Sequence, residues 1–192
     1  MPSKTIRTFF AIKLPLQRLE QVERGLMALK RSIPDHIKWV PVDLMHITLK
    51  FIGFFNPDHL IKIQEDLEKQ LKGFGQINFT IEKPGVFPTK RNPKTVWLGL
   101  NKIDRICELE NIINLSSNKL GYRQEKRKFS PHLTIGRLRN SVPQEVRPRI
   151  GQNIINYEFP IIDPVIINEL SFIRSDLTQQ GPIYTMLYEI RL

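Results

Sequence analysis

The chain carries one short pattern twice, a histidine and a threonine separated by one apolar residue and followed by another: His46-Ile47-Thr48-Leu49 and His132-Leu133-Thr134-Ile135. From Met45 to Phe51 every odd position is apolar. Successive residues of a strand point to opposite faces, so His46 and Thr48 share one face while Met45, Ile47 and Leu49 line the other. The same alternation puts His132 and Thr134 together, with Leu133 and Ile135 turned inward. Each strand therefore buries one face and presents an imidazole beside a hydroxyl on the other. A lone histidine on a strand is ordinarily a surface or hydrogen-bonded residue. With four histidines and nine threonines in the chain, a matched pair with apolar flanks is a rare accident, and it reads as two halves of one site.

What surrounds the two motifs also repeats. Thr8 to Ile12 reads as a strand, and Pro15 then opens a helix with Leu19, Val22, Leu26 and Leu29 on one stripe, ended at Pro34 before His46 is reached. Thr95 to Leu100 repeats the strand, followed by a helix with Ile106, Leu109 and Ile113 on one face, a stop at Gly121, a basic loop, and His132. In both halves about 35 residues separate the first strand from the histidine. Further strands are predicted at 77–82, 165–174 and 183–191, and a further helix after Asn56-Pro57 with Leu60, Ile63, Leu67 and Leu71 inward. Lys83-Pro84-Gly85 and 89–94 read as turn-rich loops, too short to link independent domains. The expected architecture is α+β: two similar lobes with antiparallel sheets related by a pseudo-two-fold, helices outside, and a central groove lined by the two His-x-Thr strands. Residues 1–192 are expected to form a single bilobal domain.

Composition narrows the setting. With 41% hydrophobic residues the chain can build a substantial core. No run approaches the roughly 18 apolar residues of a membrane span, and 1–7 carries no signal-like segment. The lone Cys107 has no partner for a disulfide and no cluster for a metal, and is expected to be a buried, inert thiol in a cytoplasmic protein. A net charge of +10 favours polyanions, with basic residues concentrated at 83–94 and at Arg123, Lys126, Arg127 and Lys128 just ahead of His132.

The chain resembles the RNA 2',3'-cyclic phosphodiesterases of the 2H phosphoesterase superfamily, also described as 2'-5' RNA ligase-like proteins. The resemblance runs through Arg7-Thr8-Phe9-Phe10-Ala11-Ile12, Lys38-Trp39-Val40, the segment His46 to Gly53, Gly85-Val86-Phe87-Pro88, Val96-Trp97-Leu98-Gly99, Phe129-Ser130-Pro131 and the second motif to Arg137, then Ser175 and Gly181-Pro182-Ile183-Tyr184. It implies hydrolysis of RNA 2',3'-cyclic phosphate ends, tRNA fragments among them, to 2'-phosphate ends by a monomer that needs no cofactor. It also implies His46 as proton donor and His132 as proton acceptor. The motifs themselves are nearly symmetric and do not order these roles.

The residues fit that chemistry independently. Opening a cyclic phosphate needs a base for water, an acid for the leaving ribose oxygen and donors for the phosphoryl oxygens. Two imidazoles titrating near ~6.5, with Thr48 and Thr134 beside them, supply all of these, and no metal signature is present. Arg137 is a candidate phosphate ligand, although strict alternation from His132 turns it to the opposite face unless Gly136 bends or bulges the strand. Phe87 and Trp39 are candidates to stack on a nucleobase. His36 and His59 read as solvated. Two alternatives share the sequence: a 2'-5' RNA ligase using the same site in reverse, which must outcompete water, and a basic RNA-binding module without catalysis, which needs no paired imidazoles.

Overall fold

The computed structural model describes residues 5–123 and 128–192. Strands β1 (Ile6–Lys13), β3 (His46–Phe55), β8 (Glu169–Leu177) and β9 (Pro182–Arg191) form one antiparallel sheet in the order β3-β1-β8-β9. Strands β2 (Ile37–Trp39), β4 (Ile77–Thr89), β5 (Asn92–Asn101), β6 (Leu133–Leu138) and β7 (Val165–Ile167) form a second, in the order β2-β6-β5-β4-β7. Setting β2 aside, the sheets superimpose in topology: a motif strand at one edge, then the strand that opens its half, then two more. This is the two-lobed α+β architecture read from the repeat.

The helices are exchanged between the lobes. Helix α1 (Leu16–Ser32) leaves β1 of the first sheet but packs beside the second: Tyr157 donates to the Gly25 carbonyl at 2.6 Å, and the Lys30 ammonium lies 5.7 Å from the Trp39 ring centroid. Helix α3 (Asp104–Lys119) leaves β5 and packs against β3 and α2 (Leu60–Leu71) of the first lobe. The apolar stripes do what their spacing requires: Leu19, Val22, Leu26 and Leu29 of α1, Ile63, Leu67 and Leu71 of α2, and Ile106, Leu109 and Ile113 of α3 are all buried. β1 is buried on both faces, with Phe10 and Ile12 in the main core and Phe9 and Ala11 in a smaller cluster with Ile173.

Several elements differ from the sequence expectation. Lys83-Pro84-Gly85 is not a loop; it lies within β4, where the register against β5 shifts between Ile81 and Pro84 and the ladder does not need the missing proline N–H. The apolar run 165–174 is two strands in different sheets, β7 paired with β4 and β8 with β1, broken at Asn168. Helix α4 (Arg147–Ile155) and the three-residue β2 have no counterpart in the sequence expectation. Cys107 is only partly buried, with its thiol pKa raised by burial and by Glu110 and Asp104. His59 is not simply solvated: its Nδ1 lies 2.9 Å from the Tyr122 hydroxyl, and the ring meets Phe55 edge-on. His36 is partly buried, its Nδ1 without a hydrogen-bond partner among the described residues. Among the described residues, no helix is long and apolar enough to cross a membrane.

Candidate active site

The two histidines are held by the same local device. His46 opens β3 and its Nδ1 lies 2.8 Å from the carbonyl of Leu44; His132 stands just before β6 with its Nδ1 2.7 Å from the carbonyl of Ser130. A carbonyl only accepts, so Nδ1 must carry the hydrogen and donate it in each ring. That fixes the tautomer, and the lone pair of the neutral ring sits on Nε2. Burial is the main cause lowering both pKa values below 6.5, so both rings are neutral at neutral pH. For His132 the nearby Arg137 guanidinium lowers the pKa further by disfavouring a second positive charge.

Each imidazole rests in an aromatic pair. The His46 ring stacks on Phe9 with centroids 4.9 Å apart and meets Tyr184 edge-on at 5.4 Å. His132 meets Phe87 edge-on at 5.1 Å and Trp97 at 6.0 Å. Trp97 stands across from Gly85 on β4, and a Cβ there would lie 2.3 Å from the indole, so only glycine lets the ring settle where it does. Thr48 and Thr134 are half-buried, and among the described residues neither hydroxyl has a hydrogen-bond partner. They are available to oxygens of a bound anion.

Arg137 lies on the site's face because β6 bulges. Val96 pairs with Gly136 but Trp97 pairs with Thr134, so the register skips Ile135, and both Ile135 and Gly136 are buried. The extra residue reverses the parity beyond it. Arg137 then pairs with Thr95 on the face that carries Trp97 and Thr134, and its charge acts on both His132 and Tyr184 of the opposite sheet. The first motif strand has a matching shift: Phe10 pairs with Lys50 and Ala11 with Thr48. Phe51, the counterpart of Arg137, therefore faces the groove with Phe9, ring centroids 5.7 Å apart.

Of the two aromatic candidates, only one is at the site. Phe87 borders His132, whereas Trp39 pairs with Gly136 and packs on the core side of β2 beneath Lys30, away from the groove. The sequence does not reveal which face of so short a strand is inward. Phe9, Tyr184 and Trp97 border the histidines beyond the candidates read from the sequence, and alternation with the inward Val96 and Leu98 is a usable signal for Trp97. Lys90 and Arg91 form the exposed tip of the β4–β5 hairpin beyond Phe87, and Arg123 and Lys128 are exposed ahead of His132; Lys126 and Arg127 lie outside the described residues. The two motifs are also joined from behind: the buried Lys50 ammonium donates to Asn114 Oδ1 at 2.6 Å and to the Arg123 carbonyl at 3.0 Å, at the start of the segment leading to His132. Among the described residues no group of three His, Cys, Asp or Glu side chains converges as a metal site would.

A profile described as the 2'-5' RNA ligase superfamily matches residues 19–178. Among curated proteins, the RNA 2',3'-cyclic phosphodiesterase of Methanothermobacter thermautotrophicus is 31% identical over 187 residues, covering 97% of this chain and 99% of the relative. That of Thermotoga maritima is 32% identical, covering 96% and 94%. Among solved structures, E. coli LigT complexed with 3'-AMP matches with a TM-score of 0.75 at 23% identity, covering 98% of both chains. A structure from Thermus thermophilus gives 0.77 at 19%, covering 97% of both.

Proposed function

The chain belongs to the 2'-5' RNA ligase superfamily, and we propose that it is an RNA 2',3'-cyclic phosphodiesterase, hydrolysing cyclic phosphate ends to 2'-phosphate ends by acid–base catalysis between His46 and His132. The observation that carries this reading is the duplicated Nδ1-to-carbonyl hydrogen bond. It leaves each ring one ionisable nitrogen, Nε2, to exchange a proton with the substrate.

In this mechanism the cyclic phosphodiester binds between the motif strands, its non-bridging oxygens taking hydrogen bonds from Thr48 and Thr134 and the charge of Arg137. His132 Nε2 removes a proton from water as its oxygen bonds to phosphorus. The P–O3' bond breaks and O3' takes the proton from His46 Nε2. The product is a 2'-phosphomonoester with a free 3'-hydroxyl; His46 ends neutral and His132 protonated, and exchange with solvent resets both. Arg137 supports the order of roles, because its positive charge disfavours a second charge on His132 and so favours the neutral ring that a base needs. The corresponding position beside His46 holds uncharged Phe51. His46 acquires its proton when the bound phosphate anion offsets the burial that keeps it neutral in the free protein. Every proton transfer is assigned to an imidazole, so the reaction requires no metal.

The exchanged helices support the further proposal that residues 1–192 act as one unit, since each sheet is covered by a helix from the other half. The test of the function is incubation of the protein with a short RNA ending in a 2',3'-cyclic phosphate, together with a 5'-hydroxyl RNA, and phosphorus NMR of the products. A 2'-phosphate end is the expected product; a predominant 3'-phosphate overturns the acid and base assignment, and a 2'-5' linked RNA identifies a ligase.

A further inference from the structure

Along the face of the first sheet, past His46, lies a cleft of about 720 Å³ for which the hydrolytic step has no use. Its walls include Arg7 of β1, Phe51 and Phe54 of β3, and Arg174, Ser175 and Leu177 of β8. It opens directly off the catalytic groove: Phe51 touches Phe9, whose ring stacks on His46, and the charge of Arg7 acts on Tyr184, the other ring against His46.

The lining combines two features that a core or a simple solvent face does not need together. Phe54, Leu177 and Phe51 are 81%, 67% and 50% exposed, a concentration of large apolar side chains left in water at one place. Among them stand two guanidiniums. Arg174 is paired with Asp176 at 2.9 Å, while Arg7 has no carboxylate partner among the described residues. The cleft therefore holds an uncompensated positive charge beside aromatic faces, in a chain with net charge +10. Cations that track a phosphate backbone, interleaved with rings on which bases stack, are the recurring solution for single-stranded nucleic acid.

We infer that this cleft binds the nucleotide on the 5' side of the terminal cyclic phosphate, with Arg7 toward its phosphate and Phe51 and Phe54 against its base. The inference rests on the hydrolase reading and refines its substrate: an RNA end with at least one upstream nucleotide, in preference to a nucleoside 2',3'-cyclic phosphate. Stacking on an aromatic side chain is sequence-tolerant, so the preference is for chain length and not for base identity.

The experiment compares kcat/KM for uridine 2',3'-cyclic phosphate with that for a trinucleotide ending in the same group. The expected advantage of the trinucleotide is at least about tenfold, and Phe54→Ala and Leu177→Ser should erase most of it while leaving uridine cyclic phosphate turnover unchanged. Both side chains are exposed, so the fold survives the substitutions. Equal kcat/KM for the two substrates, or an advantage that persists in both variants, overturns the cleft assignment and leaves the hydrolase reading intact. Turnover of neither substrate overturns the hydrolase reading. The cleft is then judged by calorimetric binding of the trinucleotide carrying a 2'-phosphate, where Phe54→Ala should weaken affinity about tenfold and an unchanged affinity counts against the proposal.

Discussion

Replacing Gly85 by alanine tests whether the position of His132 is set from beneath by packing. The Cβ of an alanine there would lie 2.3 Å from two atoms of the Trp97 indole, whereas ordinary contact begins near 3.4 Å. The indole must rise by about an ångström, and above it are Phe87 and His132, at ring separations of 5.0 Å and 6.0 Å. Displacing a catalytic group by that much costs on the order of 100-fold in rate, while overpacking of this kind costs about 1–3 kcal/mol of stability. For a chain of this size each kcal/mol lowers Tm by roughly 2–4 °C, so the protein remains folded at 25 °C and the two effects separate. Steady-state hydrolysis of a cyclic phosphate RNA and thermal unfolding, run side by side, measure both. Gly99→Ala is the control, since its nearest neighbour would be at an ordinary 3.5 Å. Trp97→Leu added to Gly85→Ala removes the clash and should recover part of the lost rate, a coupling between touching residues that a double-mutant cycle reads directly. Wild-type kcat/KM in Gly85→Ala, or a double variant no faster than the single one, would refute the idea that the indole positions the imidazole.

His46→Ala and His132→Ala should each reduce kcat at least about 100-fold with circular dichroism unchanged, as expected for loss of a general acid or base; near-normal turnover in either removes that imidazole from the mechanism. Thr48→Val and Thr134→Val each delete one phosphate donor at nearly constant volume, and slower hydrolysis with unchanged Tm is the expected result, the loss reaching about 2–4 kcal/mol where the donor acts only in the transition state. The pH profile of kcat/KM should be a bell displaced below pH 6.5, because both histidine pKa values are lowered in the free protein: the acid limb follows protonation of His132, and the alkaline limb follows loss of the proton from His46. A maximum above pH 7 contradicts this. The same lowered values make stability fall as pH drops through about 6.5, since the unfolded chain then binds protons that the folded histidines refuse; chemical denaturation at pH 7.5 and 5.5 checks the sign. Activity should persist in excess chelator, and loss restored by zinc or manganese defeats the two-imidazole mechanism.

Strand parity made the two motifs legible. Alternation alone places His46 with Thr48 and His132 with Thr134, and the buried Ile47, Leu49, Leu133 and Ile135 follow from the same count. It fails where the backbone departs from a period of two. The bulge at Ile135-Gly136 turns Arg137 to the groove, and nothing in Ile-Gly-Arg specifies it beyond the bare presence of glycine. Trp39 fails for a different reason: in a three-residue strand either face is possible, and the tertiary contact with Gly136, where a Cβ would come within 3.2 Å of the indole, decides it. Lys83-Pro84-Gly85 has the composition of a turn, and only the register shift in β4 shows why a strand tolerates it. The break at Asn168 is set by which sheet each side joins, a long-range choice that local sequence does not encode.

Strand parity also lets a duplicated scaffold yield two unlike halves. Both motif strands shift register after their threonine, so in each the fifth residue after histidine is turned into the groove. One copy places Arg137 there and the other Phe51, and the two consequences are opposite. In the proposed mechanism the guanidinium draws the phosphate toward the second lobe and adds to the burial that lowers the His132 pKa; the phenyl ring carries no charge, leaves His46 free to hold a proton against the bound anion, and forms the inner wall of the proposed cleft along the first lobe. The symmetric parts, imidazole, hydroxyl and carbonyl anchor, supply chemistry that works in either direction. In the proposed mechanism a single asymmetric pair of residues then gives the reaction its polarity. Exchanging them, Phe51→Arg with Arg137→Phe, should shift hydrolysis of an RNA end toward the 3'-phosphate product, because the guanidinium that draws the phosphate would stand beside His46 and no longer beside His132. An exchanged variant that turns over and still yields only the 2'-phosphate would mean that polarity is set elsewhere, by the carbonyl-anchored histidines or by the shape of the groove.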